Sequence, residues 1–197
     1  TQLQVRTNGY DLFYADYSNS YPPNTGVKRL DPEGNIVSNN PRLLEGEKLI
    51  KHLDCGPGIC AAFSHYDEHK TLFFFESSEG PWNVLKEIPL STMHGWSEGK
   101  VVHNPDRREF ALLWWTPSDF TVRLKTYDYW GEPLADIPVL TDIKFFQHYY
   151  KSKMIWTGSA YEFLWDESAD IHASELTLTS VTPDGQVQSH RIGEGTN

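Results

Sequence analysis

Short apolar runs separated by glycine- or proline-bearing turns recur along the whole chain, and the pattern repeats four times. Tyr10, Ile59, Phe110 and Tyr161 open equivalent apolar runs, at spacings of 49, 51 and 51 residues. Gly34, Gly80, Gly131 and Gly185 mark equivalent later turns, at spacings of 46, 51 and 54. Self-similarity of this length with strand patterning predicts propeller blades. Helical repeats do not fit, because no copy offers ten residues of 3.6-period apolar spacing free of glycine and proline.

Each copy reads as four strands, lettered A to D. In the third, residues 100–103 form strand A and Asn104-Pro105-Asp106 the turn that follows. Residues 109–115 form strand B, apolar on both faces, and residues 121–127 form an alternating strand C. Strand D follows the Trp130-Gly131-Glu132-Pro133 turn. A strand apolar on both sides must be covered on both sides, whereas an alternating one can face water on one. Blades stacked face to face meet that demand, and the polar run 186–191 suits an outer strand. The expected fold is therefore all-β, a four-bladed propeller of four-stranded antiparallel sheets. It forms a single domain over 1–197, with approximate blades 1–46, 47–97, 98–148 and 149–197. The alternatives are a β-sandwich with coincidental spacing, and four blades that are half of a larger ring completed by a partner chain.

Charge narrows the partners. With 27 Asp+Glu against 17 Lys+Arg, the net charge of −10 repels phosphate backbones, and no basic cluster offsets it. Nucleic acid and anionic membrane surfaces are disfavoured, and no apolar run is long enough to span a bilayer. The two cysteines, Cys55 and Cys60, flank Gly56-Pro57-Gly58 in the A–B turn of the second copy. A disulfide across that hairpin is expected there, with free thiols the alternative, and an oxidised pair favours a secreted, periplasmic or cell-envelope setting. The chain starts at Thr1 without a methionine, consistent with a removed signal peptide or a trimmed end.

Chemistry concentrates at one end of the blades. The A–B and C–D turns are short and glycine-rich and read as structural punctuation. The B–C and D–A connections carry His65-Tyr66-Asp67-Glu68-His69, His94-Gly95-Trp96, His148-Tyr149-Tyr150, and Asp166-Glu167 with Asp170 and His172. Five of the eight histidines fall there. Loops held by a rigid scaffold are where binding residues gather. The expected ligand-binding residues are His65, Trp96, His148, Tyr149, Tyr150, Asp166 and His172, with flat rings for stacking and polar groups for hydroxyls. If the protein is an enzyme, a general acid/base pair would come from His94, His148, Asp166 and Glu167. His65 and His69, with Asp67 and Glu68, also have the composition of a metal cluster. Their i, i+4 spacing carries that meaning only on a helix, and this segment lies between strands. No metal site or cofactor is assigned. A cation held by backbone carbonyls in a central tunnel would leave no side-chain motif. His52, His103 and Trp156 precede A–B turns and read as packing groups or tunnel-lining residues.

Trp156-Thr157-Gly158-Ser159-Ala160-Tyr161-Glu162-Phe163-Leu164-Trp165, followed by Thr182-Pro183-Asp184-Gly185, resembles the W-x-G-x-x-Y-x-x-x-W…DG blades of secreted bacterial propeller-type proteins. The third copy is a looser match, and the first two keep the turn glycines and apolar strands. The resemblance implies the fold and no single activity. The blade count is also similar to that of hemopexin-like domains, but those tie first and last blades by a disulfide, whereas both cysteines here lie in the second copy. The expected function is an extracellular, lectin-like binding module for a carbohydrate, another small polar ligand or a partner protein. The alternative is a hydrolase or lyase working on the same loop face.

Overall fold

A computed structural model describes residues 2–6, 8–16, 24–44, 49–66, 69–76, 82–91, 99–116, 120–141, 153–166 and 173–196. They form sixteen strands in four antiparallel four-stranded sheets, each in simple up-and-down order, and no helix occurs among the described residues. The first sheet comprises β1 (Gln2–Arg6), β2 (Gly9–Asp16), β3 (Asn24–Leu30) and β4 (Ile36–Leu44). The second comprises β5 (Ile50–Cys55), β6 (Ile59–Tyr66), β7 (His69–Glu76) and β8 (Asn83–Ser91). The third comprises β9 (Gly99–Asn104), β10 (Glu109–Thr116), β11 (Thr121–Asp128) and β12 (Pro133–Leu140). The fourth comprises β13 (Met154–Trp156), β14 (Tyr161–Asp166), β15 (Ala173–Val181) and β16 (Val187–Thr196).

The chain divides into two compact units. One is Thr1–His94 with Tyr129–Gly131, and the other is Gly95–Asp128 with Glu132–Asn197. In the first, Phe13, Val27, Leu43 and Leu44 pack with Cys60, Ala62, Phe73, Phe75 and Trp82 to make one buried cluster. Trp82 meets Phe13 edge-on at 4.9 Å and Phe75 at 5.9 Å, the arrangement that ring quadrupoles favour. In the second unit, Val102, Ala111, Leu113, Val122 and Leu124 pack with Met154, Tyr161, Phe163, Trp165 and Val181. The strands expected to be apolar on both faces are buried on both. In β6 and β7, Ala61, Phe63, Leu72 and Phe74 occupy the face opposite that cluster and are equally inaccessible. In β10, Phe110, Leu112 and Trp114 do the same.

The turn glycines have a common mechanism. In three sheets the residue three before the C–D glycine closes the turn with its side chain. Asp31 Oδ1 accepts the Asn35 amide at 2.7 Å, Asp128 Oδ1 the Glu132 amide at 2.8 Å, and Thr182 Oγ1 the Gln186 amide at 3.0 Å. The backbone pairs the same residues in reverse, the amides of Asp31, Asp128 and Thr182 donating at 2.9–3.0 Å. This leaves the third turn position left-handed, where Gly34, Gly131 and Gly185 have φ of +88°, +76° and +90°. The bonds from Asn35 hold the Asp31 carboxyl below the usual carboxylate range. Gly9 is needed for a second reason: at φ +128°, a Cβ there would stand 2.0 Å from the Leu30 carbonyl oxygen.

Cys55 and Cys60 are disulfide-bonded, as expected. They are directly opposed residues of β5 and β6, which brings their Cα atoms to 4.0 Å.

Candidate functional site

Antiparallel alternation sends the A–B and C–D turns to one end of each sheet and the B–C connection to the other. The B–C strand ends carry Asp16, Tyr66, Thr116 and Asp166, so the connections expected to bear chemistry do leave from one end of their own sheets. Most of the expected site lies beyond the described residues. His94, Trp96, His148, Tyr149, Tyr150, Glu167, Asp170 and His172 are outside them, and of Asp166 only the backbone in β14 is described.

His65 is described, and its setting differs from the loop anticipated. The register pairs Tyr66 with His69 and His65 with Lys70, leaving only Asp67 and Glu68 between β6 and β7. β6 and β7 are therefore paired as far as Tyr66 and His69. Cross-strand pairing absorbs polar residues that composition alone assigns to a loop. His65 is half-buried, its amide donates to the Leu49 carbonyl at 3.1 Å, and its ring lies 6.4 Å from that of Phe63. Directly opposite stands Lys70, only 1% exposed. Burial lowers the Lys70 ammonium pKa and makes the neutral amine more accessible than on an ordinary lysine. Sequence reasoning missed Lys70. Its signal was the strict alternation of β7, in which Lys70, Leu72 and Phe74 share one face.

The opposite end of the second unit holds a polar network that is internally satisfied. The buried Tyr161 hydroxyl donates to Glu109 Oε1 at 2.7 Å and accepts from Asn104 Nδ2 at 2.8 Å. Asn104 Nδ2 also approaches Glu109 Oε1 at 3.3 Å, and Asn104 Oδ1 accepts the amides of Asp106 and Arg107. The Arg107 guanidinium lies 3.6 Å from Glu109. Burial, with the Glu109 carboxylate beside it, holds the Tyr161 hydroxyl far above the usual tyrosine range. Trp156, expected as a packing or tunnel-lining residue, lies with its ring tilted at 4.9 Å from that of Tyr161 and donates its indole N–H to Asp106 at 2.9 Å. His103 packs at 5.1 Å on Phe110. In the second unit these bonds tie the A–B turn at Asn104–Arg107 to β10, β13 and β14.

A cleft of about 290 Å³ lies on the outer strands of the third sheet, lined by Lys125, Tyr127, Leu134 and Asp136. Asp136 is engaged there by Arg123 at 3.1 Å and by Lys125 at 3.3 Å. No group of three or more His, Cys, Asp or Glu side chains suited to a metal occurs among the described residues. No helix is long and apolar enough to cross a membrane among them.

Four sheets of four antiparallel strands in consecutive order define an all-β, four-bladed propeller. Solved structures carry the same fold. The chain is similar to TolB from Acinetobacter baumannii, with a TM-score of 0.57 at 12% identity over 91% of this chain and 41% of TolB. It is also similar to a eukaryotic initiation factor, with a TM-score of 0.50 at 7% identity over 99% of this chain and 56% of that one. The chain therefore spans about half or less of the length of either neighbour. At these identities the likeness is one of fold alone. No protein-family model matches the chain, and neither does any curated protein.

Proposed function

We propose that this protein is a binding module that recognises a carbohydrate or another small polar ligand through its B–C and D–A connections. The observation that carries the reading is the contrast between the two ends of the blades. At the A–B and C–D end, the polar groups of Asp31, Asn104, Asp106, Glu109 and Thr182 close turns or join strands of the protein itself. In this reading the other end carries the aromatic and histidine-rich connections, and of their residues His65 stands at the end of β6 with Lys70 opposite it in β7. His65, Trp96, His148, Tyr149, Tyr150, Asp166 and His172 would supply ring faces and hydrogen-bonding groups. Residues 1–197 act in this reading as one propeller domain of the secreted bacterial repeat type. The Cys55–Cys60 bond supports a secreted, periplasmic or cell-envelope location.

The second reading is a hydrolase or lyase on the same face, using His94, His148, Asp166 and Glu167. The buried Lys70 favours it specifically, since amines of lowered basicity serve as bases and nucleophiles. A glycan array probed with the wild type and with Trp96→Ala/His148→Ala/Tyr149→Ala tests the first reading. Signal is expected from the wild type and absent from the triple variant, and undiminished signal from the triple variant removes this face. Release of reducing ends from an array hit, abolished by His148→Ala, would select the enzyme.

A further inference from the structure

The C–D turns of the first, third and fourth sheets are closed by the same bonds, yet one of them carries different side chains. The two residues before the turn glycine are Pro32-Glu33 in the first sheet, Pro183-Asp184 in the fourth and Tyr129-Trp130 in the third. In the second copy they are Ser78-Glu79. Three copies thus place a carboxylate where the third places an indole. In the fourth sheet that carboxylate serves the turn, since Asp184 accepts from Thr182 Oγ1 and, at 3.2 Å, from Gln186 Nε2. An indole can accept neither bond. Nor is the Trp130 ring withdrawn into a core: it is 68% exposed, the most exposed large apolar side chain among the described residues. A departure from the repeat that leaves an indole in water is the kind expected at a functional position.

The backbone that carries this ring is fixed. Asp128 Oδ1 accepts the Glu132 amide at 2.8 Å, and the Asp128 amide donates back at 3.0 Å. Gly131 has φ +76°, and a Cβ there would stand 2.9 Å from Phe74 Cδ2 and from Lys86 Cδ. Tyr129–Gly131 accordingly belong to the compact unit that contains β7 and β8. A side chain presented from a fixed turn costs a ligand little ordering entropy.

We propose that Trp130 is a stacking platform for one pyranose ring of a carbohydrate, at the end of the third sheet opposite its B–C connection. The indole face is the negative side of the ring quadrupole, and the axial C–H groups of a pyranose carry the complementary positive charge. Such stacking needs no hydrogen-bonding group of the turn, so the saturation of those groups does not oppose it. The Lys86 side chain, packed on Gly131, brings a hydrogen-bond donor to the same turn. An indole offers about 200 Å² of surface, which suits one sugar ring, whereas a specific protein contact needs roughly 1,000 Å². The net charge of −10 disfavours a nucleic-acid base as the stacked group.

The test is fluorine NMR on the whole chain with its seven tryptophans replaced by 5-fluorotryptophan, the Trp130 resonance being assigned from Trp130→Tyr. Cellobiose, chitobiose, maltose and methyl β-galactopyranoside are titrated to about ten times the millimolar dissociation constant that one stacked ring supports. At least one of them is expected to shift the Trp130 resonance saturably. Its affinity is then read by saturation-transfer NMR in the Trp96→Ala/His148→Ala/Tyr149→Ala background, which keeps the outcome independent of the loop-face reading. It is expected to fall about tenfold or more in Trp130→Glu and to stay within about threefold in Trp130→Tyr. Trp130→Glu copies the carboxylate of the first sheet's turn and should fold, as far-UV circular dichroism checks, with Trp130→Ala in its place should the spectrum change. A Trp130 resonance unmoved by all four sugars overturns the proposal. So does an undiminished affinity in the Trp130 variants. A resonance that moves with protein concentration and not with sugar also overturns it, because another copy of the chain then covers the ring. Contacts of this strength do not survive the washes of a glycan array, so the loop-face test stands apart from this one.

Discussion

Replacing Tyr161 by phenylalanine probes the buried network of the second unit with the least disturbance of packing. The ring stays in its cluster and only the hydroxyl goes. Two hydrogen bonds are lost, one donated to Glu109 at 2.7 Å and one accepted from Asn104 at 2.8 Å. The first is to a carboxylate that is 2% exposed, and bonds to charged groups contribute about 1.5–3 kcal/mol each. Asn104 at 3.3 Å and Arg107 at 3.6 Å remain beside Glu109 and soften the loss. Tyr161→Phe should therefore cost about 2 kcal/mol in urea unfolding at neutral pH, roughly a thirtyfold change in the unfolding constant.

The same variant has an alkaline signature. The folded protein holds the Tyr161 proton above the ordinary tyrosine pKa of 10.0, whereas the unfolded chain releases it near that value. Below pH 10.0 both states bind the proton, and the stabilisation is fully present. Above it the unfolded state binds fewer protons, so stability falls as pH rises, by up to about 1.4 kcal/mol per pH unit for this group. Tyr127, whose hydroxyl pKa is raised by burial and then by Asp136, adds its own slope to both proteins, so the difference between them isolates Tyr161. Wild type and Tyr161→Phe should converge in stability at alkaline pH. A loss under about 0.5 kcal/mol at neutral pH, with parallel alkaline slopes, would refute the energetic role given to this network.

Two further outcomes test the scaffold. Reducing the Cys55–Cys60 bond should lower stability by about 2 kcal/mol on the chain-entropy estimate for so short a loop, measured by thermal unfolding with and without a thiol reductant. Gly9→Ala should cost more than about 3 kcal/mol, because a left-handed φ and a carbonyl oxygen 2.0 Å from the new Cβ act together. Gly34→Ala should cost only about 1 kcal/mol, since at Gly34 the same kind of φ meets open space, and urea midpoints of the two variants read the contrast directly.

Legibility in the sequence followed how local the determining physics was. The C–D turns are closed by one residue's side chain and amide on a neighbour four positions later, so their glycines at a regular interval were readable as a repeat. The inner strands were readable because doubly apolar runs such as Glu109 to Thr116 admit no half-solvated setting. The extent of β6 and β7 was not readable. His65, His69 and Lys70 look like loop residues by composition, and only the cross-strand register makes them strand. The Tyr161–Glu109 contact was invisible for a related reason, since it joins residues 52 apart on different sheets and leaves no local pattern.

That difference bears on where a ligand is to be sought. A polar group already saturated within the protein must break a bond to take a ligand, and a buried one must also be exposed. Asn104, Glu109 and Tyr161 are saturated among themselves, and Asp106 is held by Trp156. Recruiting them would give up the about 2 kcal/mol assigned above to Tyr161 before any affinity was gained. At the ends of β6 and β7 a half-buried imidazole stands directly across from a buried lysine whose ammonium that burial disfavours. A carboxylate brought beside that lysine would oppose the shift by favouring its charged form, whereas at the A–B end a ligand would have to compete with bonds the protein already makes.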